Sequence, residues 1–427
     1  MDQPTATGAA GVTPRKIRKP LVEAEFLAAA CAIVERDGLA GLALRPLAQA
    51  LDVSVTVLTN RYGARLDVIA AIGRAACAEE QRLFAPWRRR IAALGTLTPQ
   101  TAADLAEALL DQLAGRERAF SLLFVEMVQA CAWDESLRPL FRPWFDARGA
   151  FWDAFGARCG MPRELLASGL LNGYFVDELA FAIALGEGPA YRLLRRIGLR
   201  RLFAGLRADV GPSDDAALFA LLVDDLEYPS DALAVMHGAA LAPDWRGEAA
   251  RASAVLIATR GVGAVTHRAI AAAAGVPHTT LAYRFPMQQD LVIAGLEHII
   301  SNTLQSVARG DYKPLGTMEP TDDERGYGVG PATFAVAIAA ARMPALVPCA
   351  ADMRRRRGIN LHRILEQRGQ TAFGIDALAA QVIAIGAIGA TNAAALHAGG
   401  GVERSLGAAV DWARQRAAER PAATPPR

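Results

Sequence analysis

At 427 residues the chain is longer than one ordinary domain, and a composition of 52% apolar and 21% charged residues can bury sizeable cores. A formal net charge of +2 excludes a polycation, so any nucleic-acid footprint must be local. The five cysteines are scattered without a CxxC, and none of the six histidines pairs with one at metal-ligand spacing. Neither a disulfide framework, a metal nor a cofactor is expected, and the cysteines read as small buried residues of a reducing cytoplasm. No P-loop, Gly-rich dinucleotide turn or nucleophile–base set is visible, which argues against an enzyme.

In chain order, apolar residues recur at i, i+3, i+4 throughout and no stretch alternates with period two, so the expected fold class is all-α. Residues 1–20 lack the apolar run of a signal peptide. They carry a basic arm, Arg15, Lys16, Arg18 and Lys19, which reads equally as a phosphate-following arm or a solvated disordered tail. Residues 21–72 read as a first helix-turn-helix domain. Phe26, Ala29, Ala30, Ile33 and Val34 form an amphipathic stripe that stops at Gly38. A short helix over 45–51, a turn at Asp52-Val53 and a helix over 55–62 follow, with Ser54 as the natural N-cap.

Residues 73–208 read as a helical regulatory domain. Over 66–207, breaks at Pro86, Thr98-Pro99, Gly115, Pro139, Gly160-Met161-Pro162 and Gly186 to Pro189 predict five or six helices. This region is rich in aromatics, including Phe120, Phe124, Trp133, Trp144, Trp152 and Tyr174, which suit either an apolar ligand pocket or a core of large residues. Glu126, Asn172, Asp177 and Glu178 sit inside apolar runs. A buried carboxylate must be paired or neutralised, by a partner on another helix or by a ligand. The candidate ligand-binding set is therefore Phe120, Phe124, Glu126, Trp133, Trp144, Trp152, Asn172, Tyr174 and Asp177.

The polar stretches GPSDD and YPSD place a linker over 209–243. A second helix-turn-helix domain is expected over 244–295 and a second helical domain over 296–418, interrupted by a Pro-, Gly- and acid-rich loop at 311–331. The run Arg354-Arg355-Arg356-Arg357 reads as a solvated helix face or helix end. Residues 377–399 lack Asp, Glu, Lys and Arg and are long enough to span a bilayer. They are mostly alanine and glycine, which favours a buried helix at a helix–helix interface and no membrane. Residues 419–427 read as a disordered tail.

The internal repeat decides the organisation. DGLAGLALRPLAQALDVSVTVLTNRYGARLDVIAA aligns without a gap on RGVGAVTHRAIAAAAGVPHTTLAYRFPMQQDLVIA, Asp37 falling on Arg260. Gly38 matches Gly261, Arg45 matches Arg268, Arg61 matches Arg284 and Asp67 matches Asp290, while Tyr62 faces Phe285. In the second copy the helix over 268–274 is followed by Gly275-Val276, and Pro277 starts the next helix. In a helix-turn-helix the second helix enters the major groove and its early side chains reach base edges. Candidate DNA contacts are Arg45, Ser54, Val55, Thr56, Thr59, Asn60, Arg61, Tyr62 and Arg65 in copy one. In copy two they are Thr266, Arg268, His278, Thr279, Thr280, Tyr283 and Arg284.

VSVTVLTNRYGARLDVI and VPHTTLAYRFPMQQDLV resemble the V-S-x-x-T-L-Y-x-H-F-x-S-K-E-x-L signature of the tetracycline-repressor (TetR-type) family, over about fifty residues per copy. Both depart from it. The tyrosine after the leucine is Thr59 and Ala282, the histidine is Arg61 and Arg284, and the lysine of the fourth helix is Arg65 and Gln288. The resemblance implies heads that bind double-stranded operator DNA and helical bundles that bind a small-molecule effector and dimerise. With two units on one chain it implies an intrachain pseudo-dimer, residues 377–399 packing against 165–185, with a larger homo-oligomer also open. The function implied is a cytoplasmic, ligand-responsive repressor. The alternatives are a helical interaction or sensor protein whose heads no longer bind DNA, or a helical enzyme without a recognisable motif.

Overall fold

The computed structural model describes residues 22–206, 214–225, 244–309, 329–367, 369, 374–396 and 402–418. The basic arm, most of the expected linker, most of the 311–331 loop and the C-terminal tail lie outside them. Among the described residues the fold is all-α, without a strand. The first half comprises α1 (Glu23–Asp37), α2 (Leu44–Ala50), α3 (Val55–Tyr62), α4 (Arg65–Ala93), α5 (Pro99–Ala114), α6 (Arg118–Trp133), α7 (Arg138–Arg158), α8 (Arg163–Ala167), α9 (Leu170–Leu185) and α10 (Pro189–Phe203). Next comes α11 (Asp215–Asp225). The second half comprises α12 (Trp245–Arg260), α13 (His267–Ala273), α14 (His278–Arg284), α15 (Gln288–Arg309), α16 (Val329–Ala340), α17 (Val347–Arg355), α18 (Ile359–Gln367), α19 (Ala377–Asn392) and α20 (Val402–Ala418).

Several boundaries follow the expected chemistry. Thr98 caps α5, accepting the Thr101 amide at 3.2 Å, and Pro99 begins the helix where no partner for its missing N–H is needed. Others depart from it. Pro86 does not break the chain but lies inside the long α4. A proline forfeits one hydrogen bond, and the burial of Leu83, Phe84 and Trp87 around it offsets that loss. The expected linker contains α11, whose Phe219 and Leu222 are buried with Leu194 and Ile197 of α10 and Leu378 of α19. The apolar run AALFALLV outweighs the flanking polar residues. The loop expected to reach residue 331 ends sooner, since α16 begins at Val329.

The core of the first half is aromatic. Trp144 lies against Phe120, Phe124 and Phe141, and Trp152 stacks on Phe175 with centroids 3.3 Å apart. The buried ion pair between Arg148 and Glu80 sits among them, bidentate at 2.6 Å, with the Trp144 indole donating to Glu80 at 2.8 Å. The second half is built mainly from small and aliphatic residues.

The two halves meet along α9 and α19, both buried almost throughout. The crossing is close because it lacks side chains at the contact. A Cβ on Gly389 would strike the Gly173 carbonyl, and one on Gly386 would lie 2.8 Å from the Leu170 carbonyl oxygen. The arginine run of α17, expected to be solvated, points largely into this junction. Arg354 binds Glu178 of α9 at 2.9 Å and Gln381 of α19 at 2.7 Å; Arg357 binds Asp177 at 3.0 Å and Thr333 at 2.6 Å. Arg355 pairs with Asp352, and Arg356 alone of the four is exposed. The carboxylates that draw Arg354 and Arg357 inward belong to the other half of the sequence, so the run taken by itself carried no sign of their burial.

Candidate nucleic-acid interface

The two heads share their turn and the aspartate that starts the following helix, and differ in which short helix carries a side-chain cap. In the first, Ser54 caps α3 by accepting the Val57 amide at 3.3 Å. In the second, Thr266 caps α13 by accepting the Ala269 amide at 3.2 Å, and Pro277 holds the N-cap position of α14, one residue earlier than expected. The turn between the two short helices needs a left-handed residue. Asp52 supplies it with φ 51° and Gly275 with φ 66°. Asp67 then accepts the Ala64 amide at 2.8 Å, and the matching Asp290 accepts the Met287 amide at 2.7 Å, fixing the start of α4 and of α15.

The recognition helices are held from beneath by single buried leucines, Leu58 and Leu281. Tyr62 stacks on Phe26 of α1 at 4.4 Å, and its counterpart Phe285 meets Trp245 of α12 edge-on at 6.4 Å. Tyr62 is thus half-buried as an anchor of the head. The His267 ring lies 2.5 Å from the Phe285 carbonyl oxygen, tying the start of α13 to the end of α14.

The outward faces differ. On the first head Arg45, Ser54, Thr56, Asn60, Arg61 and Arg65 are exposed, while Val55 and Thr59 are partly covered. The Thr59 hydroxyl donates back to the carbonyls of Val55 and Thr56, both at 3.2 Å. On the second head Thr266, Arg268, His278, Thr279, Thr280 and Arg284 are exposed, and Tyr283 is 90% exposed. Arg61 lies over the Tyr62 ring at 5.5 Å and Arg284 over the Phe285 ring at 5.6 Å, so the aligned arginines share one posture. Gln288, where the signature has lysine, is exposed and donates to the Val265 carbonyl at 2.9 Å. A groove of about 590 Å³ runs between α14 and the start of α12, lined by Asp244, Trp245, Arg246, Thr279, Thr280, Tyr283 and Arg284. Arg246, paired with Asp244 at 2.6 Å, was not among the sequence candidates because it precedes the aligned repeat.

The candidate ligand residues are dispersed. Phe120, Phe124, Trp144 and Trp152 lie in the aromatic core, and Trp133 reaches the surface at 38% exposure. Glu126 is bonded to Arg342 and to the Leu39 amide, and Asp177 to Arg357. Burial pushes the Asp177 carboxyl up to about 6, with Arg357 opposing. Tyr174 is fully buried, and burial raises its hydroxyl well above the usual value.

These heads define a helix-turn-helix protein. Among the described residues no helix is long and apolar enough to cross a membrane. Residues 250–294 match the family described as bacterial regulatory proteins, tetR family. The match spans the second head. No curated protein matches the chain.

Proposed function

We propose that the chain is a cytoplasmic, ligand-responsive repressor with two TetR-type heads on one polypeptide, paired as an intrachain pseudo-dimer that reads an asymmetric operator. The observation that carries this reading is the agreement of the two heads in turn, in the aspartate that starts the following helix and in arginine posture, against the disagreement of the side chains they display. Val55, Thr56 and Asn60 on one recognition helix face the positions of His278, Thr279 and Tyr283 on the other. Heads that dock as a pair would read half-sites roughly 34–36 Å apart that differ in sequence.

The effector is a small, largely apolar or aromatic molecule taken up by the first bundle. In support, the Trp152 indole N–H, the Asn172 carbonyl oxygen and the Tyr174 hydroxyl are buried there without a hydrogen-bond partner. Unmade hydrogen bonds of this kind are costly, and a ligand with a small polar handle would relieve one or more of them. The neutral Gln288, bonded to the Val265 carbonyl where the signature has a lysine, favours a second reading, in which the second head grips DNA weakly or not at all.

Footprinting of the chain on its upstream DNA, with salt titration, is the test. Replacing Arg61 and Arg65 by alanine should flatten the log–log salt dependence by about 0.9 for each phosphate no longer neutralised. Arg284→Ala should flatten it less. A palindromic operator, or equal weakening from changes in either head, would replace the asymmetric reading with two chains using one head each.

A further inference from the structure

Each head rests on a helix of its own half, α1 on α6 and α12 on α16, and each is also touched by the opposite half. The helix under each head ends just before a 3-10 turn, Glu135–Leu137 in the first half and Pro344–Leu346 in the second. Two residues ahead of those turns stand Trp133 and Arg342. Both reach across the molecule. Arg342 lies beside Gly38 of the first head, with its Nη2 atom 3.3 Å from where a Cβ would be. Trp133 lies beside the matching Gly261 of the second head, at 3.5 Å by the same measure.

The two crossings are chemically unlike. Arg342 donates to the Val34 carbonyl at 3.2 Å, at the C-terminal end of α1 where exposed carbonyls favour a cation. It also binds Glu126, whose other oxygen accepts the Leu39 amide at 2.9 Å. Arg118 completes the staple. It donates to the carbonyls of Ala341 and Ile183, both at 2.6 Å, and lies 3.3 Å from Glu35. The end of α16 is thereby bonded to α1, to the 3-10 turn Leu39–Gly41 and to α6 together. At the second head the crosswise neighbours of Gly261 are neutral: the edge of Trp133 and the Gln129 amide oxygen, whose own nitrogen is buried without a partner.

We infer that Arg342 is a positioning residue for the first head, through which the second half of the chain sets that head's orientation. No charged staple holds the second head in the same way among the described residues. A displacement of α16 is then transmitted to α1 and the first recognition helix, whereas a displacement of α6 reaches Gly261 of the second head through the neutral Gln129 and Trp133. The joint stands on its own geometry; its effect on operator reading rests on the DNA-binding proposal above.

Hydrogen–deuterium exchange on the full chain without DNA tests the joint directly, because the Leu39 amide is one of its bonds. Arg342→Met should speed exchange of Leu39 and the end of α1 by about tenfold while leaving residues 262–284 unchanged. Trp133→Ala should loosen the second head and spare the first, with a smaller change. Arg342→Lys, which keeps the charge, should fall between wild type and methionine and serves if the methionine variant does not fold. Unchanged exchange at Leu39, or equal loosening of both heads, would overturn the inference. Operator binding by the same variants is a separate arm. If the wild-type chain binds no DNA, the functional proposal fails while the exchange result still decides the joint.

Discussion

The two helical halves differ in where their most deeply buried ion pairs close. The first closes one within itself: Glu80 of α4 and Arg148 of α7 are enclosed by Phe84, Phe124 and Trp144, with the guanidinium 3.6 Å from the Phe124 ring centroid, while its Arg201 crosses to Asp376 at 2.6 Å. The second half exports its charge. Arg354 and Arg357 find their carboxylates on α9 and Arg342 finds its own on α6. The second half is thus completed by the first. Its small-residue helix α19 and its Arg354 and Arg357 are satisfied at the junction, while Arg355 pairs with Asp352 of its own half.

Breaking one charge of each kind gives the largest expected effects. Removing one partner of a buried pair leaves an uncompensated charge and costs about 3–5 kcal/mol. Glu178→Ala and Glu80→Ala should both fall in that range by chemical denaturation. They should differ in where the molecule opens: Glu178→Ala should expose α17 and α19 to exchange, and Glu80→Ala should expose α4 and α7. If Glu178→Ala loosened only the first half, the dependence of the second half on the junction would be disproved.

A smaller effect sharpens the same comparison at the helix crossing. Gly389→Ala forces a methyl group against the Gly173 carbonyl, so α9 and α19 must separate. Overpacking of this kind costs roughly 1–3 kcal/mol. A lower melting temperature for Gly389→Ala, with Gly407→Ala on α20 near wild type because open space surrounds that position, is the expected pattern. An unchanged melting temperature for Gly389→Ala would mean the crossing is not tight.

A pH-dependent effect concerns Glu297 of α15, one of whose carboxyl oxygens is buried without a partner. Burial raises its carboxyl from 4.5 to about 8, with Arg284 opposing. A carboxyl raised on folding contributes stability that is full below its unfolded value and is lost as pH rises through the folded one. Stability should therefore fall across about pH 4.5 to 8, and Glu297→Gln should flatten that slope and melt higher than wild type at pH 8. Parallel pH profiles for the two proteins would remove Glu297 as the cause.

What the sequence determined by itself is local or repeated. The helical period, the Ser54 cap, the helix stops at Gly38 and Gly261, and the two recognition helices were legible because each depends on residues within a few positions of one another. The ungapped repeat made the second head readable from the first, down to the match of Asp67 with Asp290; that both aspartates bond the backbone ahead of the next helix came from the structure. The burial of Arg354 and Arg357, the continuity of α4 through Pro86 and the staple at Arg342 were not legible. Each is decided by atoms more than a hundred residues away or on another helix. Arg357 and Asp177 are 180 positions apart, and Arg342 and Glu126 are 216. An arginine carries the same charge on a solvated face as in a core; its surroundings fix which it occupies, because a buried guanidinium is tolerable only where a carboxylate from elsewhere in the chain is brought within hydrogen-bond reach.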